Sequence, residues 1–145
     1  MPLLLLDVNI LLAAHRREHV LHAQARQVVD VAAADGFALC AHTRNGFLRL
    51  ATHPVMRDPT PIGIALDTVQ GWLERPATRR LVEDDPKVWE AFDRLCRTHA
   101  AQANAVYDLH LAALAIAHRC ILVSDDRGFD RIGEVRWKPP EAVLA

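Results

Sequence analysis

Short, wholly apolar runs alternate along this chain with longer segments whose apolar residues recur at helical spacing. Leu3-Leu4-Leu5-Leu6 is too short for a helix and is bounded by Asp7 and Asn9, so it reads as a buried strand. Ile10 to Ala14 starts a helix that the polar stretch His15 to His19 interrupts. From His22 to Ala34 the apolar positions Ala25, Val28, Val29 and Ala32 fall on one helical face, and Asp35-Gly36 stops the helix. Phe37 to Cys40 is a second strand, after which Thr43 caps a helix through about Ala51.

Residues 53–61 hold three prolines and form a loop. Pro61 suits a helix start, and that helix runs to about Glu74. Leu81-Val82 is a short strand, and Asp85-Pro86 opens a helix with Val88, Trp89, Phe92 and Leu95 on one face. Asn104 to His118 is the most apolar helix, buried nearly all round. Cys120 to Ser124 is a third strong strand and Glu134 to Trp137 a weaker one, with Pro139-Pro140 ending the regular structure. Strands alternating with helices predict an α/β sandwich with a mainly parallel sheet, and right-handed crossovers then bring successive strand ends to one rim. No repeat or linker divides residues 1–145, so one domain is expected.

Composition narrows the picture only a little. The chain is 51% hydrophobic and 24% charged, ordinary for a globular protein, and its net charge of -1 gives no global attraction for nucleic acid. The cations are nearly all arginine, which suits bidentate phosphate contacts, although codon usage explains that bias equally well. No apolar run approaches the ~20 residues that span a membrane, and no basic region precedes the first strand. Cys40, Cys96 and Cys120 lack any paired spacing and read as reduced thiols of a cytoplasmic protein.

The candidate chemistry lies in three aspartates at element boundaries. Asp7 closes the first strand, Asp126 follows Ile121-Leu122-Val123-Ser124, and Asp108 opens the apolar stretch Leu109 to Ala117. Ligands of an open parallel sheet bind beyond the carboxyl ends of its strands, where this topology sends Asp7 and Asp126. Clustered carboxylates repel unless a cation lies among them, and Mg²⁺ or Mn²⁺ prefers oxygen donors. Such a site fits phosphodiester chemistry. Singly, each aspartate is better read as a helix cap or solvated strand end; together, at these positions, they are not.

The same segments resemble a PIN-domain ribonuclease of the VapC toxin type. The resemblance runs through Leu4-Leu5-Leu6-Asp7-Val8-Asn9-Ile10-Leu11-Leu12, then Gly46-Phe47-Leu48-Arg49-Leu50-Ala51-Thr52-His53-Pro54. Val106-Tyr107-Asp108-Leu109-His110-Leu111 and Leu122-Val123-Ser124-Asp125-Asp126-Arg127-Gly128-Phe129 follow, and Val135-Arg136-Trp137-Lys138-Pro139-Pro140 closes the set. Each motif is short; the ordered set is specific. The resemblance implies a three-layer α/β/α fold and a Mg²⁺- or Mn²⁺-dependent endoribonuclease acting on structured RNA, with tRNA the leading substrate. It also implies a homodimer and neutralisation by a small VapB-type antitoxin. By position, Asp7, Asp108 and Asp126 become catalytic metal-site carboxylates, with Asn9 and Ser124 supporting them and Asp125 able to assist Asp126. For Asn9, a simple helix cap is an equal reading.

One departure stands out. The family usually carries a further acid in the helix after the second strand, where this chain has Arg44, Asn45 and Gly46. Restoring an acid, as Gly46→Glu or Arg44→Glu, is expected to tighten Mn²⁺ binding in one register. The runner-up is therefore an impaired PIN domain that binds RNA or antitoxin without cutting. His15-Arg16-Arg17-Glu18-His19 also fits an inverted zinc-protease pattern, with His22 as a third ligand, but three fixed residues match cheaply. A haloacid-dehalogenase-like phosphatase needs an acid where Asn9 stands. Trp72, Trp89 and Phe92 are expected in the core or at a dimer contact.

Overall fold

The computed structural model describes residues 2–145. In chain order its elements are β1 (Leu4–Leu6), α1 (Val8–His15), α2 (His22–Asp35), β2 (Phe37–Leu39), α3 (Ala41–Ala51), α4 (Ile62–Leu73) and β3 (Thr78–Arg80). Then come α5 (Pro86–Thr98), α6 (Ala105–Ala117), β4 (Ile121–Val123), a 3-10 turn (Arg127–Arg131), β5 (Trp137–Lys138) and α7 (Pro140–Leu144). Among the described residues the strands form one sheet in the order β3-β2-β1-β4-β5, every pairing parallel. All five strands therefore finish on one rim.

Side chains alternate across strands, which explains the two cores. Leu4, Leu6, Phe37, Leu39 and Val123 pack on one face with α1, α2, α3 and α4. Leu5, Ala38 and Leu122 pack on the other with α5, α6 and Phe129 of the 3-10 turn. This is the expected α/β/α sandwich. Both faces of β1 are covered, so Leu4, Leu5 and Leu6 are all buried and no polar alternation marks the strand.

Four local expectations need correction. β3 is Thr78–Arg80, one step before Leu81-Val82, because it is an edge strand whose exposed arginines are tolerated facing solvent. Leu81 still donates to Leu39 at 2.8 Å, so the ladder runs on, while Val82 is exposed. β5 is Trp137–Lys138: Val135 turns into the core instead of pairing along the sheet. Pro140 starts α7 instead of ending regular structure, since a proline at the first helical position loses no helical hydrogen bond. Thr43 is not the cap of α3 but its third residue, bonded reciprocally with Cys40, which is the cap.

Candidate active site

Asp7 sits between β1 and α1 and binds the two together. Its backbone N–H donates to Val123 of β4 at 2.9 Å, and its Oδ1 accepts the Val8 N–H at 2.7 Å, capping α1. Oδ2 accepts the hydroxyl proton of Ser124 at 2.7 Å. Ser124, fully buried at the end of β4, also accepts from Asn9 Nδ2 at 3.2 Å and from the Asp126 N–H at 3.0 Å. Asn9 Oδ1 in turn receives the Asp125 N–H at 3.4 Å. One serine thus links the ends of the two central strands. Asn9 is not the helix cap, because Asp7 is; it ties α1 to the turn after β4.

Asp108 lies one turn inside α6 and not at its start, so it is not an N-cap. Its pKa is raised, first by burial and then by the charges of Asp126 and Asp7. Burial also raises the Asp7 pKa, against the lowering effect of the Ser124 and Val8 hydrogen bonds, and the Asp126 charge adds to the rise. The three aspartates expected from the sequence therefore feel one another. Asp126 caps the 3-10 turn, its Oδ1 accepting the Gly128 N–H at 2.8 Å. With Asp108 it lines a cavity of about 190 Å³ that also holds His99, Arg131 and Gly128. Asp125 is exposed, does not line that cavity, and lies beside Arg127.

These donors fit a hard divalent cation: they are carboxylate oxygens, and two of them carry raised pKa values that a cation would relieve. Among the described residues, no three His, Cys, Asp or Glu side chains converge closely enough to coordinate an ion as they stand.

Sequence reasoning left the fourth acid between three positions, and the structure gives each of them different surroundings. Arg44 points into a depression beside Arg80, Leu81 and Glu83, and Asn45 is exposed. Gly46 faces α1, where a Cβ would stand 2.6 Å from Val8 Cγ2, next to Asp7. The helix approaches so closely there that no side chain fits unless Val8 moves. Gly46→Glu alone is therefore not the simple restoration that the sequence suggests.

The zinc-protease pattern disperses. His15 Nε2 meets Thr60 Oγ1 at 2.9 Å, His22 Nδ1 meets the Ala13 carbonyl at 2.9 Å, and Glu18 accepts from Arg16 at 2.7 Å. α1 has ended at His15, so His19 is not on the same helix. Trp72 does pack on the first core and Phe92 on the second, but Trp89 is 62% exposed, held by Asp84 at 3.2 Å. Sequence reasoning also passed over His99 and Arg131, which share the cavity with Asp108 and Asp126. The signal for Arg131 was its place five residues after Asp126, within reach of one short turn.

The model of the PIN domain family matches residues 4–135. Ribonuclease VapC43 of Mycobacterium tuberculosis is 35% identical over 141 residues, which cover 95% of each chain. Ribonuclease VapC31 of the same organism is 36% identical over 140 residues, covering 94% of this chain and 98% of that one. Among solved structures, VapBC2 from Rickettsia felis, bound to a DNA fragment from its promoter, has a chain with a TM-score of 0.71 at 16% identity, covering 94% of this chain and 98% of that one. VapBC-1 from nontypeable Haemophilus influenzae gives 0.70 at 16% identity, covering 96% and 98%. Matched along nearly its whole length by relatives of this kind, the chain belongs to the PIN domain family, within the VapC ribonucleases.

Proposed function

We propose that the protein is a metal-dependent endoribonuclease toxin, cutting phosphodiester bonds of structured RNA, with tRNA the leading substrate. The observation that carries this reading is that Asp108 and Asp126 line one cavity while the pKa values of Asp7 and Asp108 are raised, first by burial and then by the charges of neighbouring aspartates. Relatives named as VapC ribonucleases support the same activity.

Asp7, Asp108 and Asp126 would hold Mg²⁺ or Mn²⁺, which supplies Lewis acidity and charge neutralisation for hydrolysis. Ser124 fixes the Asp7 carboxylate by donating to Oδ2, so its other lone pairs face a set direction. By accepting from Asp126 and Asn9, the same hydroxyl holds the turn that delivers Asp126. Phosphate and carboxylates repel without a cation, so RNA in its reactive position and metal load together.

A small VapB-type antitoxin is the proposed partner, and solved VapBC structures sharing this fold support it. α4 offers Ile62, Ile64 and Leu66 to solvent, an apolar surface of the kind that partners cover. A homodimer and a cytoplasmic location complete the reading; the three free thiols agree with the latter. Among the described residues no helix is long and apolar enough to cross a membrane.

The test is cleavage of total tRNA by purified protein with Mg²⁺, with Mn²⁺ and with EDTA, beside Asp7→Asn. Discrete fragments that vanish with EDTA and with the variant are expected. An Asp7→Asn protein that cuts at the wild-type rate, or cleavage that persists in EDTA, overturns the mechanism.

A further inference from the structure

The cavity beside Asp108 and Asp126 is of mixed sign. Besides its two carboxylates, its lining includes Arg131 and His99 together with the apolar Ala101, Ala105 and Leu109. Its volume of about 190 Å³ corresponds to roughly six waters' share of liquid.

Two observations set Arg131 apart from the other arginines nearby. Arg127 is bound to Glu141 at 2.5 Å, and Arg94 is bound to Glu134. Among the described residues Arg131 has no carboxylate partner within ion-pair distance; its one contact is a weak bond from Nε to the Gly128 carbonyl at 3.4 Å. His99 is left in a similar position. Glu134, an acid on which the His99 charge acts, is engaged at both oxygens by Arg94, at 3.1 and 2.6 Å.

Gly128 locates the guanidinium. A Cβ there would stand 3.0 Å from Asp126 Oδ1 and 3.7 Å from Arg131 Nη2. The carboxylate and the guanidinium thus flank one bare backbone position, near each other but unpaired. A cation among the aspartates and a guanidinium on the other side of Gly128 would present two neighbouring positive centres. Successive phosphates of a polynucleotide are anions of that kind.

We propose that Arg131, with His99 beside it, forms a subsite for a phosphate flanking the bond that is cut. This rests on the nuclease reading for the identity of the ligand. Arg131 grips a non-bridging phosphate oxygen through its planar fork, and His99 donates a ring N–H to the same group. The apolar floor between them receives the ribose. Gly128 keeps the passage between the two phosphate positions open.

The test uses Arg131→Gln and Arg131→Lys with two readouts. In the Asp7→Asn background with EDTA, a short fluorescein-labelled single-stranded RNA of mixed sequence is titrated by anisotropy at several salt concentrations. Arg131→Gln is expected to weaken binding about tenfold and to reduce the salt slope by about 0.7, the value for one contact to a single strand. Arg131→Lys retains the slope. In the otherwise wild-type protein, Arg131→Gln raises KM for tRNA with kcat little changed, and Mn²⁺ affinity by calorimetry is the same. An unchanged salt slope overturns the subsite, as does lost Mn²⁺ affinity with unchanged RNA binding, which would make Arg131 a support for Asp126. A wild-type protein that never cleaves, but whose RNA binding loses slope with Arg131→Gln, sinks the nuclease reading and leaves the subsite standing.

Discussion

Gly46→Ala isolates the reason why the expected fourth acid is missing. The new methyl would stand 2.6 Å from Val8 Cγ2, with Val8 Cβ and Cγ1 at 3.6 Å. Carbon atoms rest at about 3.5–4.0 Å, so α3 and α1 must separate locally by roughly 1 Å, or Val8 must rotate. Valine in a helix has one strongly preferred χ1, so rotation is not free. Overpacking of this kind costs about 1–3 kcal/mol, against which alanine's better helix propensity returns about 1 kcal/mol. The expected net loss is about 1 kcal/mol, or a Tm lower by about 2–4 °C for a chain of this size. In a Val8→Ala background the clash is gone, and Gly46→Ala should stabilise by up to about 1 kcal/mol. Chemical denaturation of wild type, both single variants and the double variant gives the coupling directly. A coupling within about 0.5 kcal/mol of zero would refute the steric account. The same logic applies to the acid: Gly46→Glu alone should lose stability, and tighter Mn²⁺ binding should emerge only when Val8 is also reduced to alanine.

Asp7→Asn is expected to abolish cleavage while retaining the fold, checked by the tRNA assay and far-UV circular dichroism. Its pH signature has a definite sign. The folded Asp7 binds its proton more tightly than the unfolded group at the usual 3.8, so in EDTA this residue makes stability fall as pH rises through the window between 3.8 and the raised folded value. Denaturation across that range should show the slope reduced in Asp7→Asn; an increased slope contradicts the burial argument. Mn²⁺ affinity should rise with pH over the same window, since cation and proton compete for Asp7 and Asp108. Ser124→Ala removes a buried hydroxyl with three partners and should cost about 1–3 kcal/mol while shifting the Mn²⁺ pH profile upward. An unshifted profile would mean that the hydroxyl does not hold Asp7. Arg16, 9% exposed, donates to the carbonyls of Arg57 and Asp58, so Arg16→Ala should cost about 2 kcal/mol and open residues 53–61 to limited proteolysis. Protection equal to wild type would show that the prolines alone hold that segment.

Much of the fold was legible because the central strands are covered on both faces. Runs such as Leu4 to Leu6 and Ile121 to Val123 are apolar throughout, α2 carries helical periodicity, and α6 is long and apolar. The edges were harder: β3 and β5 are each bonded to one neighbour and tolerate arginine and lysine, so hydropathy misplaced both. Of the candidate site, Asp7 and Asp126 could be named from strand ends and Asp108 from the head of an apolar run. Hidden from the sequence was what depends on touch across the fold. Ser124 gathers its three bonds from residues up to 117 positions away. Gly46 is decided by Val8. Arg131 comes beside Asp108 only because the turn after β4 folds back on α6, which no local pattern records.

The Ser124 to Asp7 bond has a consequence for the order of events during synthesis. Asp7 is made before β2 and β4, the strands on either side of β1, and the serine that orients its carboxylate follows 117 positions later. Asp126 and the turn carrying Arg131 come later still. A nascent chain therefore carries Asp7 and Asp108 with no arranged site until Ser124 and the turn after it have emerged. A product truncated before that turn is left without the constellation, which can assemble only once β4 has joined β1.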